Sequence, residues 1–273
     1  MTPKILPTSL FRRMVPGLAG LALTACAHDP HTLLDTLRTH RLVDLSHPFA
    51  VDIPHWSGFP PATRTTLYDY PQAGFKAEQY CHVGQWGTHI DPPGHFFAQL
   101  RMLDAIPAGE MLMPLVVIDV HRQVAANPDY TVTLADIIDW ERRHGPVPAG
   151  SFVALRTDWS KRWPDQAKML NADAQGVKHY PGWSLEPLKY LYETRKITAS
   201  GHETTDTDPG LSTSKDDYSL ESYVLGTNHY QVELLAHLDA VPEAGAVALV
   251  VWPNVARGTG FPVRVLALVN PAP

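Results

Sequence analysis

Only two of the 273 residues are cysteine, Cys26 and Cys81. Two cysteines build neither a disulfide framework nor a paired-cysteine zinc ribbon. The chain also lacks a glycine-rich phosphate loop and a G-x-S-x-G elbow, which removes the common nucleotide-binding and serine-hydrolase readings. Basic charge is scarce: 22 Lys and Arg against 28 Asp and Glu leave a formal net charge of -6, so no nucleic-acid partner is expected. What the chain has in quantity is histidine (14) and proline (25). Histidines point to metal or acid–base chemistry where they cluster, and prolines to rigid loops.

Long apolar runs are missing too. Lys4, Arg12 and Arg13 precede a short apolar stretch from Met14 to Leu23, too short to span a bilayer comfortably but shaped like a secretory signal. It ends in Leu23-Thr24-Ala25-Cys26, which resembles the bacterial lipobox. That implies a lipoprotein on the periplasmic face of the cell envelope, touching membrane only through a lipid on Cys26. A plainly cleaved signal, giving a periplasmic or secreted chain, is the other reading. Residues 1–25 are therefore read as leader and 26–40 as a linker with a short helix around Leu33, Leu34 and Leu37. Residues 41–273 are read as one domain.

Within that domain, helices and strands are expected to mix. "RLVDLSHPF" (41–49) reads as a strand ending at proline, and the breaker-rich "DIPHWSGFPP" (52–61) as a loop carrying Trp56. "TVTLADIIDWERRHG" (131–145) predicts a helix capped by Thr133 and Asp136 and stopped by Gly145. Apolar strand runs flank it, "PLVVIDV" (114–120) and "SFVALRT" (151–157). A helix from Ser184 is expected over 183–195, then a strand over "KITAS" (196–200). The polar run 201–217 is expected to be a surface loop. Residues 218–238 read as helix, break and a second ordered segment, and "GAVALVVWPNV" and "FPVRVLALV" as closing strands. The class is α/β (α+β), with buried sheets.

The segment that concentrates polar ligand types is "QWGTHIDPPGHFF" (85–97). If the chain is extended up to Asp91, side-chain alternation puts Gln85, His89 and Asp91 on one face, with Gly87 leaving room between them. Pro92 and Pro93 then end the strand, and a turn at Gly94 brings His95 back. An imidazole, a carboxylate and an amide oxygen suit a divalent ion such as zinc or manganese, and a nearby free histidine is placed to move protons. A proline-rich turn whose histidines only satisfy backbone groups is the alternative for His-x-Asp alone.

The full stretch resembles the signature His-x-Gly-Thr-His-x-Asp-x-Pro-x-His of the cyclase family of metal-dependent hydrolases, which includes kynurenine formamidases and isatin hydrolases. The resemblance continues in "VDLSHP" (43–48), "PHWSGFP" (54–60), "GHETTDTDPG" (201–210) and "YQVELLAHLDAVPEAGA" (230–246). It implies a swivelling β/β/α domain, usually in a homo-oligomer. It implies His89, Asp91 and Glu233 as metal ligands, His95 as proton shuttle and Trp56 as an aromatic packing on substrate. Gln85 stands where the family has its first histidine; a neutral amide oxygen is a weaker donor and shifts preference toward harder ions such as Mn²⁺. Glu221 stands where formamidases place a histidine for a second zinc, so it is a second-metal or pocket candidate. His202 and Glu203 are candidates to line the pocket, His202 against substrate. Cys81 is read as structural.

The expected function is metal-dependent hydrolysis of an amide, lactam, lactone or similar acyl bond in a small aromatic or planar molecule. One divalent ion, Mn²⁺ or Zn²⁺, would activate water and His95 would carry the proton. A lipid-anchored binding protein that has lost its metal, or a metal-dependent lyase or isomerase, are the competing readings.

Overall fold

The computed structural model describes residues 30–271. The leader and Cys26 lie outside the described residues. Eleven strands are present among them: β1 (Arg41–Asp44), β2 (Thr63–Tyr68), β3 (Ala77–Cys81), β4 (His89–Asp91), β5 (Leu112–Asp119), β6 (Phe152–Arg156), β7 (Ala199–His202), β8 (Tyr230–Glu233), β9 (Ala246–Val251), β10 (Phe261–Pro262) and β11 (Arg264–Val269). Nine form one sheet in the order β1-β11-β9-β5-β6-β7-β8-β4-β10, and β2 and β3 make a separate hairpin. The centre, β5-β6-β7-β8, is parallel, and the remaining pairings of the sheet are antiparallel. This is the mixed α/β single domain that the sequence predicts, and its sheet is curled.

The parallel centre demands burial on both faces, and β5 and β6 supply it with continuous apolar runs. One face packs inside the curl, where Ile90, Leu115, Val117, Phe152, Val232, Val250 and Val265 form the inner core. The other face carries Val116, Ile118, Val153 and Leu155 under the helices, meeting Ile137, Trp140, Leu188 and Leu191. Each such side chain taken from water contributes roughly 1.5–3 kcal/mol. The helix Leu134–His144 has the expected reciprocal cap: Thr133 Oγ1 accepts from Asp136 N–H, and Asp136 accepts from Thr133 N–H.

Two expectations shift. The helix over 183–195 is regular only over Leu185–Lys189 and continues as a π-turn over Tyr190–Thr194. Ser184 Oγ donates to the carbonyl of Val132 instead of capping that helix. The strand expected at 196–200 starts at Ala199, because Lys196 adopts a left-handed φ of 57° that breaks extension.

The larger correction concerns 201–217. Residues 201–210 are buried throughout, and only the segment from Leu211 reaches the surface. β7 is a central strand, and the chain beyond it stays inside the domain. Polar residues are tolerated there because they bond to one another: Thr204 Oγ1 donates to Asp206 O at 2.9 Å, Thr205 Oγ1 to Asp206 Oδ2 at 2.9 Å, and Tyr180 Oη to Asp206 Oδ2 at 2.5 Å.

Candidate metal centre

β4 and β8 are antiparallel neighbours whose register sets His89 opposite Glu233 and Asp91 opposite Gln231. Strand alternation turns His89 and Asp91 to one side, and Glu233 joins them from across the ladder. His89 Nε2 lies 3.4 Å from Asp91 Oδ2 and 3.5 Å from Glu233 Oε2, with all three residues buried. His95 follows on a single 3₁₀ turn, Pro93–His95. Gly94 is required there for close approach, since a Cβ would stand 2.2 Å from Met102 Sδ.

Ligand atoms of Asp91, His95 and Glu221 also come within 4.8 Å of one another, so Glu221, from the helix Ser219–Gly226, faces the same space. Asp208 accepts from the backbone N–H groups of Leu220 and Glu221 at 2.9 and 3.0 Å, which fixes the start of that helix.

The extended face expected over 85–91 is realised only from His89. Gly87 takes a left-handed φ of 65°, so Gln85 reaches the site by a bend and not by strand alternation. Its Nε2 donates to Thr259 O at 2.7 Å and stands 3.4 Å from His95 Nδ1. Gly260 makes room, because a Cβ at that position would lie 2.1 Å from Gln85 Nε2.

These side chains line one cavity of about 210 Å³, with His55, Trp56, Phe59, Phe96, Asp206 and Tyr218 among its walls. Trp56 lies over Gly58, meets Phe59 edge-on at 5.0 Å, and donates from Nε1 to Tyr218 Oη at 3.0 Å. His202 and Glu203 do not line it. His202 is buried behind the centre with Nε2 3.4 Å from Glu233 Oε1, and burial pulls its imidazole down to about 3, so it is neutral. Glu203 faces away, accepting from Thr157 N–H, Thr157 Oγ1 and Ser160 Oγ. Cys81 is exposed on the β2–β3 hairpin and has no evident structural role there.

Sequence reasoning missed Gln231. Its Nε2 approaches Glu233 Oε1 at 3.1 Å and Asp91 Oδ2 at 3.4 Å, while its Oε1 accepts from Thr207 Oγ1. Thr207 therefore forces the amide to present its donor side to both carboxylates.

The electrostatics of the site call for a cation. Asp91, Asp206, Glu221 and Glu233 line the cavity, with Asp208 buried close by, and no lysine or arginine is among the lining residues. Burial, then the charges of Asp91 and its fellow acids, hold the Glu233 and Glu221 carboxyls well above the usual carboxylate range. Burial also pushes Asp208 up to about 6. Burial opposes ionisation of Asp91 as well, but His89, His95 and the Gln231 amide together hold its carboxyl below the usual range. Asp91 Oδ1 is buried without a partner. His89 Nδ1 bonds Gly87 O at 2.8 Å as donor, which leaves Nε2 to face two carboxylates. A nitrogen lone pair and two carboxylate oxygens converging on one point suit a divalent ion, so the residues present fit a metal.

The Cyclase family model matches residues 43–209. The isatin hydrolase of Roseibium aggregatum is 35% identical over 191 residues, covering 68% of this chain and 72% of the relative. Isatin hydrolase A from Labrenzia aggregata, solved with benzyl benzoate, superposes with a TM-score of 0.81 at 33% identity, over 88% of this chain and 98% of that one. An isatin hydrolase bound to the product analogue thioisatinate gives 0.82 at 28% identity, over 89% and 99%. The chain belongs to the cyclase family. Within it, the protein is a metal-dependent hydrolase with isatin hydrolases as its relatives.

Proposed function

We propose that this chain opens the ring amide of a small planar lactam of the isatin type, using one divalent ion held by His89, Asp91 and Glu233, with Gln85 Oε1 as the further oxygen donor. The observation that carries the reading is the buried His89–Asp91–Glu233 cluster at the floor of an aromatic-walled cavity. When bound, such an ion polarises an acyl oxygen and acidifies water.

The chain's own residues do the rest. Trp56, Phe59 and Phe96 hold a flat ring, and the cavity is smaller than those that take drug-sized ligands, which favours a compact substrate. Gln231 keeps the two carboxylates from rotating. His95, which stands beside the Gln85 amide in the cavity wall, accepts a proton from water and returns it to the leaving nitrogen. Glu221 acts as an acid in the pocket wall and not as a ligand of a second ion. Manganese is the preferred ion, because the donor set is mostly oxygen.

The test is to assay isatin, N-formyl anilines and lactones with added Mn²⁺ or Zn²⁺, in water labelled with heavy oxygen. Metal-dependent ring opening of isatin with one labelled oxygen in the product is expected. Product without label would show elimination, and no turnover of any lactam would overturn the substrate assignment. For location, the leader supports a lipid anchor on Cys26 at the cell envelope, tested by the mass of the mature N-terminus. Among the described residues no helix is long and apolar enough to cross a membrane.

A further inference from the structure

His55 is fixed at every polar group but one. Its backbone N–H donates to Gln166 Oε1 and its carbonyl accepts from Gln166 Nε2, both at 2.8 Å, so one side-chain amide holds both backbone groups of the residue. Gln166 opens the short helix Gln166–Leu170, whose start is capped by Asp165 accepting from Lys168 N–H. The imidazole lies on Trp86 with ring centroids 4.2 Å apart and planes inclined by 25°. Trp86 is fully buried with Ile53 and Ala62, and its Nε1 donates to Ala50 O at 2.8 Å.

The tautomer is fixed as well. His55 Nδ1 stands 2.7 Å from the carbonyl of Ile53, which only accepts, so Nδ1 carries the hydrogen. In the uncharged ring the lone pair is then on Nε2. Among the described residues Nε2 has no hydrogen-bond partner, although His55 lines the same cavity as His89, Asp91 and Glu233. Trp86 belongs to the stretch that runs on into His89 and Asp91, so the stack sets the imidazole against the strand that supplies the ion's ligands.

Other acceptors around the cavity are committed. Asp91 and Glu233 face His89 Nε2 at the ion's place, and Asp206 Oδ2 accepts from Tyr180 and Thr205. A five-membered lactam holds its amide cis, so the carbonyl oxygen and the N–H share one edge of the ring, whereas an open-chain amide is trans and parts them. An ion that takes the oxygen leaves the N–H in need of an acceptor beside it.

The inference rests on the isatin-type reading above: we propose that His55 is a specificity residue whose Nε2 accepts a hydrogen bond from the ring N–H of the lactam, selecting substrates with an unsubstituted ring nitrogen. An acceptor already held in place loses little freedom on binding, and a substrate without the donor leaves Nε2 desolvated and unpaired. The N–H lies in the plane of the ring, while the proton taken up by the leaving nitrogen arrives perpendicular to that plane. The contact therefore does not compete with His95.

Ring opening of isatin and N-methylisatin by the Mn²⁺-loaded protein is compared, wild type beside His55→Phe, which keeps a ring on Trp86 and removes both nitrogens. In the wild type kcat/KM for isatin should exceed that for N-methylisatin by about tenfold to a hundredfold. In the variant the isatin value should fall by that factor and the N-methylisatin value should hold, closing the preference. Equal values in the wild type, or a preference that survives in the variant, would overturn the proposal. Turnover of neither compound counts against the isatin-type reading instead, and calorimetric dissociation constants of the same two compounds then decide for His55: the same preference and its loss in the variant uphold it, and equal affinities or no binding overturn it. Circular dichroism checks the fold of the variant, and if it misfolds His55→Asn is read by the same ratio.

Discussion

His89 and Glu233 are direct cross-strand partners in the β4–β8 pairing, with His89 Nε2 3.5 Å from Glu233 Oε2. Loading an ion there requires deprotonating Glu233, whose carboxyl is held well above the usual range by burial and by Asp91. Ion binding therefore releases protons, and affinity rises with pH. Calorimetric titration of Mn²⁺ in buffers of different ionisation enthalpy should show net proton release on binding.

His95 faces the cavity from its 3₁₀ turn but stands outside the His89–Asp91–Glu233 cluster. His95→Ala should lower kcat by roughly 10²–10⁴-fold, the usual worth of a placed proton carrier, while metal content per chain stays at the wild-type value. Equal loss of metal and activity would assign it a ligand role.

Gly260 gives the Gln85 amide its place. Gly260→Ala puts a Cβ 2.1 Å from Gln85 Nε2, and the flexible end of Gln85 is what yields. The expected result is a fold of unchanged thermal midpoint with kcat/KM down about tenfold to a hundredfold, as for a misplaced active-site group. Gln85→Ala should do the same, and the double variant should lose little more.

Trp56 is tied across the cavity mouth by the 3.0 Å bond to Tyr218 Oη. Tyr218→Phe keeps the ring and removes the acceptor. KM for an aromatic lactam should rise several-fold with kcat within twofold of wild type, since only the aromatic wall loosens.

His47 stacks on Trp163 with ring centroids 4.0 Å apart and a buried, unpartnered Nε2. Burial, with His237 nearby, pulls its imidazole from 6.5 down to about 4. The unfolded chain takes up this proton first, so stability is full above pH 6.5 and falls between 6.5 and 4, by an amount on the order of 3 kcal/mol. Urea midpoints should show this loss reduced in His47→Phe, which retains the stack.

What the sequence made legible was what is local. His-x-Asp sits on one strand face by alternation, and the apolar runs of β5 and β6 announce burial on both sides. Glu233 was reachable only through the family motif, because the β4–β8 register joins distant segments. Gln231 had a local signal that went unused: it lies two residues before Glu233 on the same strand face. Hydropathy misjudged 201–210, since side chains that satisfy each other look like surface when each is weighed alone. Glu203 and His202 were misplaced with it, and nothing local places Tyr218 against Trp56.

The central claim is that His89, Asp91 and Glu233 hold one divalent ion. Its most direct test is the metal stoichiometry of chelator-stripped and reloaded protein, wild type beside Glu233→Gln, which preserves shape and removes charge. One ion per chain in the wild type, with affinity at least a hundredfold weaker in the variant, is predicted. No retained ion in the wild type, or equal retention in both, would contradict it.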